Sequence, residues 1–482
     1  MNQSCGLVNG AQRKLVAGEA AKPQYTLESM SAVVESLIVH AVPVPLTCGD
    51  RARAIAFDAA QTIDLARFER QVRALAESLP PSRYAINLCE DRYRYLVAFC
   101  AAAVRGQTTL MPSSRAPAEI EHVQAHYRDS YCLTDVALSP APPHCVQLPA
   151  ELHELDGGPL QIDEDALAAI GFTSGSTGQP RAYAKTWQSF RTSTAQNLAA
   201  FAGLIADHDV TRVVATVPPQ HMYGMEMTVL LPLLGPVAVH SARPLFPADV
   251  ARALHDSPTP PLLITTPVHL RALVAAGLEL PPLAGIVSAT APLPPELAAE
   301  AETRFGCEVR EVFGSTETCV FARRRTARDA AWTPLPGVRL APQPDGTAVH
   351  APHLSEPVVL ADLMDVHADG RFELRGRNAD LLDIAGKRAS LGDLTRKLLA
   401  VPGVEDGVVF QLDEADAIGV RRIAALVVAP GLEENAILQA LREQLDPVFL
   451  PRPLRRVAAL PRNETGKLPR QALHDLLHAA HA

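Results

Sequence analysis

Several features that would classify a chain quickly are missing from this one. Its eight cysteines include no CxxC pair and no spacing suited to a metal ion, which argues against both a zinc module and a disulfide-stapled secreted domain. The thiols, Cys319 among them, read as scattered, reduced and mostly buried. Positive charge is not in excess; a formal net charge of −9 offers nucleic acid or an anionic membrane no general attraction. The N-terminus carries Arg13, Lys14 and Glu19 but no apolar signal-peptide core, and residues 1–25 read as a loose tail. The most apolar stretch, 227–240, is too short to cross a bilayer and is interrupted by Pro232 and Pro236. A cytoplasmic protein with no membrane span and no nucleic-acid partner is expected. No internal repeat is found. Gly386-Lys387-Arg388 and Gly466-Lys467-Leu468 both fail the spacing of a Walker phosphate loop.

What remains is an ordinary globular composition, 48% hydrophobic and 20% charged over 482 residues. That length suits about three structural units. The most informative passage is residues 173–181, Thr-Ser-Gly-Ser-Thr-Gly-Gln-Pro-Arg. Gly175 and Gly178 allow the main chain to approach a ligand closely. Thr173, Ser174, Ser176 and Thr177 add hydroxyls to the main-chain N–H groups, a set that suits nucleotide phosphates.

Three later segments follow in order: Phe313-Gly314-Ser315-Thr316-Glu317, then Gly376-Arg377 through Gly386 and Arg388, then Pro461-Arg462-Asn463-Glu464-Thr465-Gly466-Lys467. With the first loop they resemble the adenylate-forming superfamily, which holds acyl- and aryl-CoA synthetases, peptide-synthetase adenylation domains and luciferases. The resemblance covers roughly residues 50–475, and four segments in order are far more specific than one. It implies a large N-terminal domain (26–378) and a small C-terminal domain (379–482) that pivots over the site.

Periodicity supports an α/β fold. Residues 212–216, 236–240, 262–266 and 285–289 are short apolar runs, while 247–255, 268–276 and 295–305 show helical spacing, the alternation of parallel βαβ units. The glycine loop follows an apolar strand at 168–172 and precedes a helix expected to begin near Trp187. A weaker α/β reading covers 45–145, with a helix at 65–79. Shorter periods at 330–378 predict a small antiparallel, barrel-like part. The last hundred residues predict a small α+β unit, with a hairpin (407–411, 424–428) and a helix at 433–445.

The chemistry of carboxylate attack on ATP assigns roles to particular residues. Magnesium pyrophosphate leaves, and Mg²⁺ takes oxygen ligands, so Glu317 is the metal candidate; the resemblance places Thr316 at the α-phosphate. Asp362, eight residues before Gly370, matches the ribose-binding aspartate and can accept from both hydroxyls, with Arg377 as a second ribose or phosphate contact. Lys467 would counter the repulsion between substrate carboxylate and α-phosphate, a contribution commonly worth about 10²–10³ in rate. Gly314 and Gly466 supply the turns.

The chain departs from the family pattern in three places. The loop's terminal lysine is Arg181, with Lys185 four residues on, and either could meet the outgoing phosphates. The hinge residue falls on Ala379, beside Asp380. Leu360-Ala361 stands where Thr-Gly usually precedes the aspartate. For the acid, Gln220-His221-Met222-Tyr223-Gly224 resembles the segment lining the acyl site, so His221 and Tyr223 are pocket candidates. Ser288-Ala289-Thr290 replaces Ser-Gly-Gly at the pocket floor; the added side chains predict a narrow cavity for a small or flat acid. Phe321-Ala-Arg-Arg-Arg, Trp332-Thr-Pro-Leu-Pro-Gly-Val and Gly386-Lys387-Arg388 resemble the short hydroxybenzoate ligases of aryl-polyene and xanthomonadin-type pathways. The resemblance implies adenylation of a small carboxylic acid with ATP and Mg²⁺, then transfer to the pantetheine thiol of CoA or an acyl carrier protein, the Gly386–Arg388 loop serving the second step. Arg323–Arg325, Arg452, Arg455, Arg456 and Arg462 could meet an acidic carrier or the phosphates of CoA. A non-thiol acceptor, an aliphatic acid and a nucleotide-binding relative without turnover stay open.

Overall fold

The computed structural model describes residues 43–173, 181–205, 209–344, 346–377, 381–384, 387–415, 421–445, 447–463 and 466–479. The expected tail at 1–25 and the hinge residues Ala379 and Asp380 lie outside them.

Two sheets carry the large N-terminal part. The first takes β3 (Tyr84–Asn87), β4 (Thr108–Met111), β5 (Ser130–Thr134), β6 (Cys145–Gln147), β7 (Leu167–Thr173) and β8 (Arg181–Thr186) in the order β8-β7-β4-β3-β5-β6. The second orders nine strands β15-β14-β13-β12-β11-β9-β10-β1-β2. They are β1 (Ala54–Phe57), β2 (Thr62–Asp64), β9 (Thr211–Ala215), β10 (Val237–His240), β11 (Leu262–Thr265), β12 (Gly285–Ser288), β13 (Val309–Ser315), β14 (Cys319–Arg324) and β15 (Thr333–Pro334). The run from β13 through β12, β11, β9 and β10 to β1 is parallel.

Strands β10, β11 and β12 are buried along their whole length, as their unbroken Val/Leu/Ile character requires of a sheet covered on both faces. Removing one of these side chains, Ile264→Ala for example, leaves a cavity costing about 2–5 kcal/mol. The covering helices start where the sequence supplies caps. Asp64 accepts from Arg67 N at 2.7 Å to begin α1 (Leu65–Ser78), whose Leu65, Phe68, Val72, Leu75 and Ala76 form the buried stripe. Further helices are α2 (Arg92–Val104), α3 (Pro117–His126), α4 (Trp187–Ala200), α6 (Pro247–His255), α7 (Pro267–Ala275) and α8 (Pro295–Phe305). Between α4 and α6, helix α5 runs through Met222–Met225, a π-helical turn Glu226–Leu230, and Leu231–Leu234.

The α/β reading holds; the expected strands of the N-terminal part fall within one residue, while those of the C-terminal hairpin, expected at 407–411 and 424–428, are longer, Asp406–Ala415 and Arg421–Val428. The helix expected near Trp187 begins there as α4, and the Thr186 side chain, accepting from Ser189 N at 3.1 Å, caps it. Between the glycine loop and α4 lies a strand the sequence did not announce: β8 pairs antiparallel with β7, with Thr173 opposite Arg181.

At 339–377 the chain forms antiparallel ribbons. These are β16 (Arg339–Gln343), β17 (Gly346–His350) and β18 (Val358–Leu360) in one sheet, then the hairpin β19 (Asp362–Val366) and β20 (Phe372–Arg377). Among the described strands no ladder closes a barrel. Beyond them come the hairpin β21 (Leu381–Ile384) with β22 (Lys387–Ser390), α9 (Leu391–Leu399), β23 (Asp406–Ala415), β24 (Arg421–Val428), α10 (Glu434–Arg442), β25 (Leu454–Arg456) and α11 (Arg470–Ala479). This C-terminal part has apolar clusters of its own, around Leu398, Val427 and Ile437 and around Phe410, Leu426 and Leu477.

Candidate active site

The turn between β13 and β14 carries Thr316 and Glu317. Ser315 and Thr318 close it: Ser315 N donates to Thr318 Oγ1 at 3.1 Å, Thr318 N to Ser315 Oγ at 3.2 Å, and Thr318 Oγ1 to Cys319 O at 2.9 Å. A β-carbon on Gly314 would stand 2.2 Å from the Cys319 carbonyl oxygen, so only glycine lets the strands approach there.

This turn meets the β7–β8 hairpin directly. A β-carbon on Gly171 would lie 2.6 Å from Thr316 Cγ2, so the threonine rests on bare β7 backbone two residues before Thr173. Lys185 Nζ, reaching from β8, donates to the Glu317 main-chain carbonyl at 2.5 Å. Tyr183, also on β8, faces the Glu317 carboxylate and Arg181; burial and then the Glu317 charge raise its phenol above the ordinary range. Thr316, Glu317, Thr173 and Arg181 are therefore brought together. Ser174, Gly175, Ser176, Thr177 and Gly178, which span the two strand ends, lie outside the described residues.

The two basic candidates at the loop separate in kind. Arg181 is exposed, whereas Lys185 is 4% exposed and turned inward. It joins a buried polar group that sequence reasoning missed. Glu226, fully buried on the π-helical turn, accepts from Ser193 Oγ at 2.8 Å, Asn197 Nδ2 at 3.0 Å and Val320 N at 3.0 Å. Burial raises its carboxyl above the ordinary range, against those hydrogen bonds and the nearby Lys185 charge. His353 touches Gln196 Oε1 and the Thr318 carbonyl, each at 2.6 Å. Burial lowers its imidazole to about 4 despite the Thr318 bond. A glutamate alone inside the apolar run 222–234 was the available signal for this cluster.

The ribose candidates also meet. Asp362 opens β19 directly opposite Arg377, the last residue of β20. Phe313, Trp332 and Phe372 pack together, with ring centroids 5.3 Å apart for Phe313–Trp332 and 6.3 Å for Trp332–Phe372. That packing ties β20 to the strand leading into the Thr316 turn.

The acid-pocket candidates sit at the carboxyl ends of the parallel strands, where open α/β sheets bind ligands. His221 precedes α5. Tyr223 is buried, and its hydroxyl donates to Val287 O at 3.0 Å, anchoring α5 to β12. Ser288 ends β12 fully buried, its hydroxyl without a hydrogen-bond partner among the described residues. Thr290 has φ +81°, a left-handed conformation that strains a β-branched residue by about 1–2 kcal/mol.

Lys467 is exposed at the end of a closed turn. Asn463 N donates to Lys467 O at 2.8 Å, Gly466 N to Asn463 O at 2.8 Å, and Lys467 N to Asn463 Oδ1 at 2.9 Å. Gly466 has φ +77°, and a β-carbon there would lie 3.4 Å from Val268 Cγ2 at the start of α7. The turn therefore docks at the same end of the sheet as Ser288. Arg388 lies in β22; Gly386 lies outside the described residues. The proposed carrier-binding arginines are largely committed to internal carboxylates: Arg324 to Glu311, Arg325 to Glu302, Arg455 to Glu434 and Arg462 to Asp406.

Residues 47–344 match the family model described as AMP-binding enzyme. A 4-coumarate–CoA ligase from Rhodobacter capsulatus is 32% identical over 315 residues, covering 64% of this chain and 76% of that protein. A 3-hydroxybenzoate/4-hydroxybenzoate–CoA ligase from Thauera aromatica is 25% identical over 385 residues, covering 68% and 70%. Among solved structures, o-succinylbenzoate CoA synthetase from Bacillus subtilis with its acyl-adenylate superposes with a TM-score of 0.73 at 19% identity, covering 90% of this chain and 98% of that one. With the match to the family model spanning most of the chain, the chain belongs to the AMP-binding enzyme family and is an adenylate-forming enzyme.

Proposed function

We propose that the chain is an acid–thiol ligase that activates a small, flat carboxylic acid with ATP. The observation that carries this reading is Thr316 seated on Gly171, which holds the acidic turn against the hairpin that bears the glycine loop. In the first half-reaction a carboxylate oxygen attacks the α-phosphorus of ATP. An O–P bond forms, the bond to the bridging oxygen breaks, and acyl-AMP and pyrophosphate result. Main-chain N–H groups of the 174–178 loop and exposed Arg181 receive the departing phosphates. Asp362 and Arg377 hold the ribose. Lys467 approaches from the α7 side and offsets the negative charge that builds between carboxylate and phosphate. His221 orients the acid.

A single carboxylate at the tip of a turn fits Mg²⁺. Among the described residues no cluster of three or more His, Cys, Asp or Glu could hold a metal, and Mg²⁺ is commonly bound by one or two carboxylates with phosphate oxygens and water filling the rest. Glu317 would be that ligand, and the ion when bound neutralises pyrophosphate. In the second half-reaction the C-terminal part turns near 378–384, Lys467 withdraws, and a pantetheine thiol displaces AMP. CoA is the favoured acceptor, because the two relatives above are named as CoA ligases; Arg324, Arg325, Arg455 and Arg462, engaged within the protein, favour neither acceptor.

Side chains at Ala289 and Thr290 narrow the pocket floor, which supports an aromatic acid of hydroxybenzoate size; two of the relatives are named for aromatic acids. ATP–pyrophosphate exchange with 4-hydroxybenzoate, 4-coumarate, benzoate, malonate and palmitate tests the reading, followed by CoA or a carrier protein as acceptor. Fastest exchange with a hydroxybenzoate and thioester formation with CoA are expected. Equal exchange with palmitate and benzoate would remove the narrow pocket, and no exchange with any acid would remove the ligase.

A further inference from the structure

Arg462 does more than balance a charge. Its planar fork is fully engaged: Nε reaches Asp406 Oδ2 at 3.0 Å, Nη2 reaches Asp406 Oδ1 at 2.7 Å, and Nη1 donates to the Gly466 carbonyl at 2.8 Å. Asp406 is fixed in turn, accepting from Gly407 N at 2.8 Å at the start of β23. Both side chains are mostly out of solvent, at 22% and 28% exposed. The Gly466 carbonyl belongs to the residue before Lys467, whose left-handed backbone aims the lysine. One residue from Asp406, the Glu405 carbonyl accepts from Arg271 Nη1 on α7 at 2.6 Å, and α7 also meets Gly466 through Val268.

We infer that the Asp406–Arg462 pair is a positioning device for Lys467: it grips the lysine turn against the start of β23 while the residue before that strand, Glu405, is held to α7 by Arg271. The inference rests on Lys467 serving the adenylation step. The hydrogen bonds of the pair run to the lysine turn and to β23, so its effect passes through the lysine. An ordinary exposed ion pair contributes little to stability, and its loss would weaken both half-reactions alike or neither. A device that aims one ammonium predicts a different pattern, because misplacement of a reacting group by about 1 Å can cost about 10²-fold. Lysine cannot replace Arg462, since a point charge cannot bridge two carboxylate oxygens and a carbonyl together.

The test measures both half-reactions in Asp406→Asn, Arg462→Gln and Arg462→Lys, with Lys467→Ala alongside. Its substrates are the acid giving fastest exchange in the panel above, its synthetic adenylate, and CoA. In the three latch variants exchange kcat is expected to fall about 10- to 100-fold, with KM for ATP and acid changed less than about twofold. Thioester formation from the supplied adenylate should stay within about twofold of wild type. Arg462→Lys, which keeps charge and bulk, should fall with the others. Equal losses in both half-reactions, or wild-type exchange in Arg462→Lys, would overturn the device. Loss of exchange in Lys467→Ala beside full exchange in Asp406→Asn would overturn the device alone. Full exchange in Lys467→Ala would overturn the adenylation reading with it.

Discussion

The methyl of Thr316 stands 2.6 Å from the place a β-carbon on Gly171 would occupy, so one absent side chain sets how closely the acidic turn approaches β7. Gly171→Ala must move one or the other. A loss of about 1–3 kcal/mol in stability is expected from such overpacking. A larger effect is expected on chemistry: exchange at least about tenfold slower, because Thr316 and Glu317 leave their positions together. Chemical denaturation and the exchange assay read the two effects separately.

Glu317, the proposed metal ligand, also acts on Tyr183. Its charge helps hold the phenol above the ordinary range, burial being the larger cause. Glu317→Gln should therefore let Tyr183 titrate at lower pH, seen as the ultraviolet difference against Tyr183→Phe. The same variant should need more Mg²⁺ for half-maximal exchange. An unchanged phenol would place the carboxylate elsewhere.

Lys467→Ala should separate the two steps. Exchange is expected to drop by about 10²–10³ while thioester formation from supplied acyl-AMP persists. Equal loss of both would argue against rotation of the C-terminal unit.

His353 gives the fold an acid limit. Its folded-state pKa of about 4 lies below the ordinary 6.5, so protons bind the unfolded chain more readily. The associated stability, at most about 3 kcal/mol, is fully present above pH 6.5 and is lost as pH falls toward 4. Glu226 and Glu311, whose carboxyls burial raises, carry the opposite sign: their contribution is present at low pH and declines as pH rises through their folded values. The difference in thermal midpoint between wild type and His353→Gln should isolate the histidine. It should narrow below pH 6.5.

Thr290 keeps a left-handed backbone at the pocket floor. Thr290→Gly should relieve that strain, raising stability by about 1 kcal/mol after the added flexibility of glycine in the unfolded chain is offset. It should also widen the range of acids exchanged. A destabilised variant with an unchanged acid range would show that threonine earns its place by packing.

Much of this was legible in the sequence. The strands β9 to β12 announced themselves as short runs rich in apolar and β-branched residues, and α6 and α8 began and ended where proline, glycine and helical spacing placed them. Strand β8 was hidden, because Arg-Ala-Tyr-Ala-Lys-Thr has neither alternation nor strong β-branching and gains its conformation by pairing with β7. The positions of Thr316, Glu317, Asp362 and Lys467 came from motif order. The role of Lys185 did not, since an isolated lysine gives no sign that its ammonium will cap a carbonyl 132 residues away. Glu226, His353 and Asp406 were invisible for a similar reason: each matters through a partner distant in sequence, and local pattern carries no record of that partner.

The internal pairing of arginines has a kinetic corollary. Arginines that already face their own carboxylates lend an incoming acceptor no attraction, and a net charge of −9 lends none in general. Discrimination between one acceptor and another then falls to the passage the pantetheine arm must thread, and moderate amounts of potassium chloride should not slow acyl transfer.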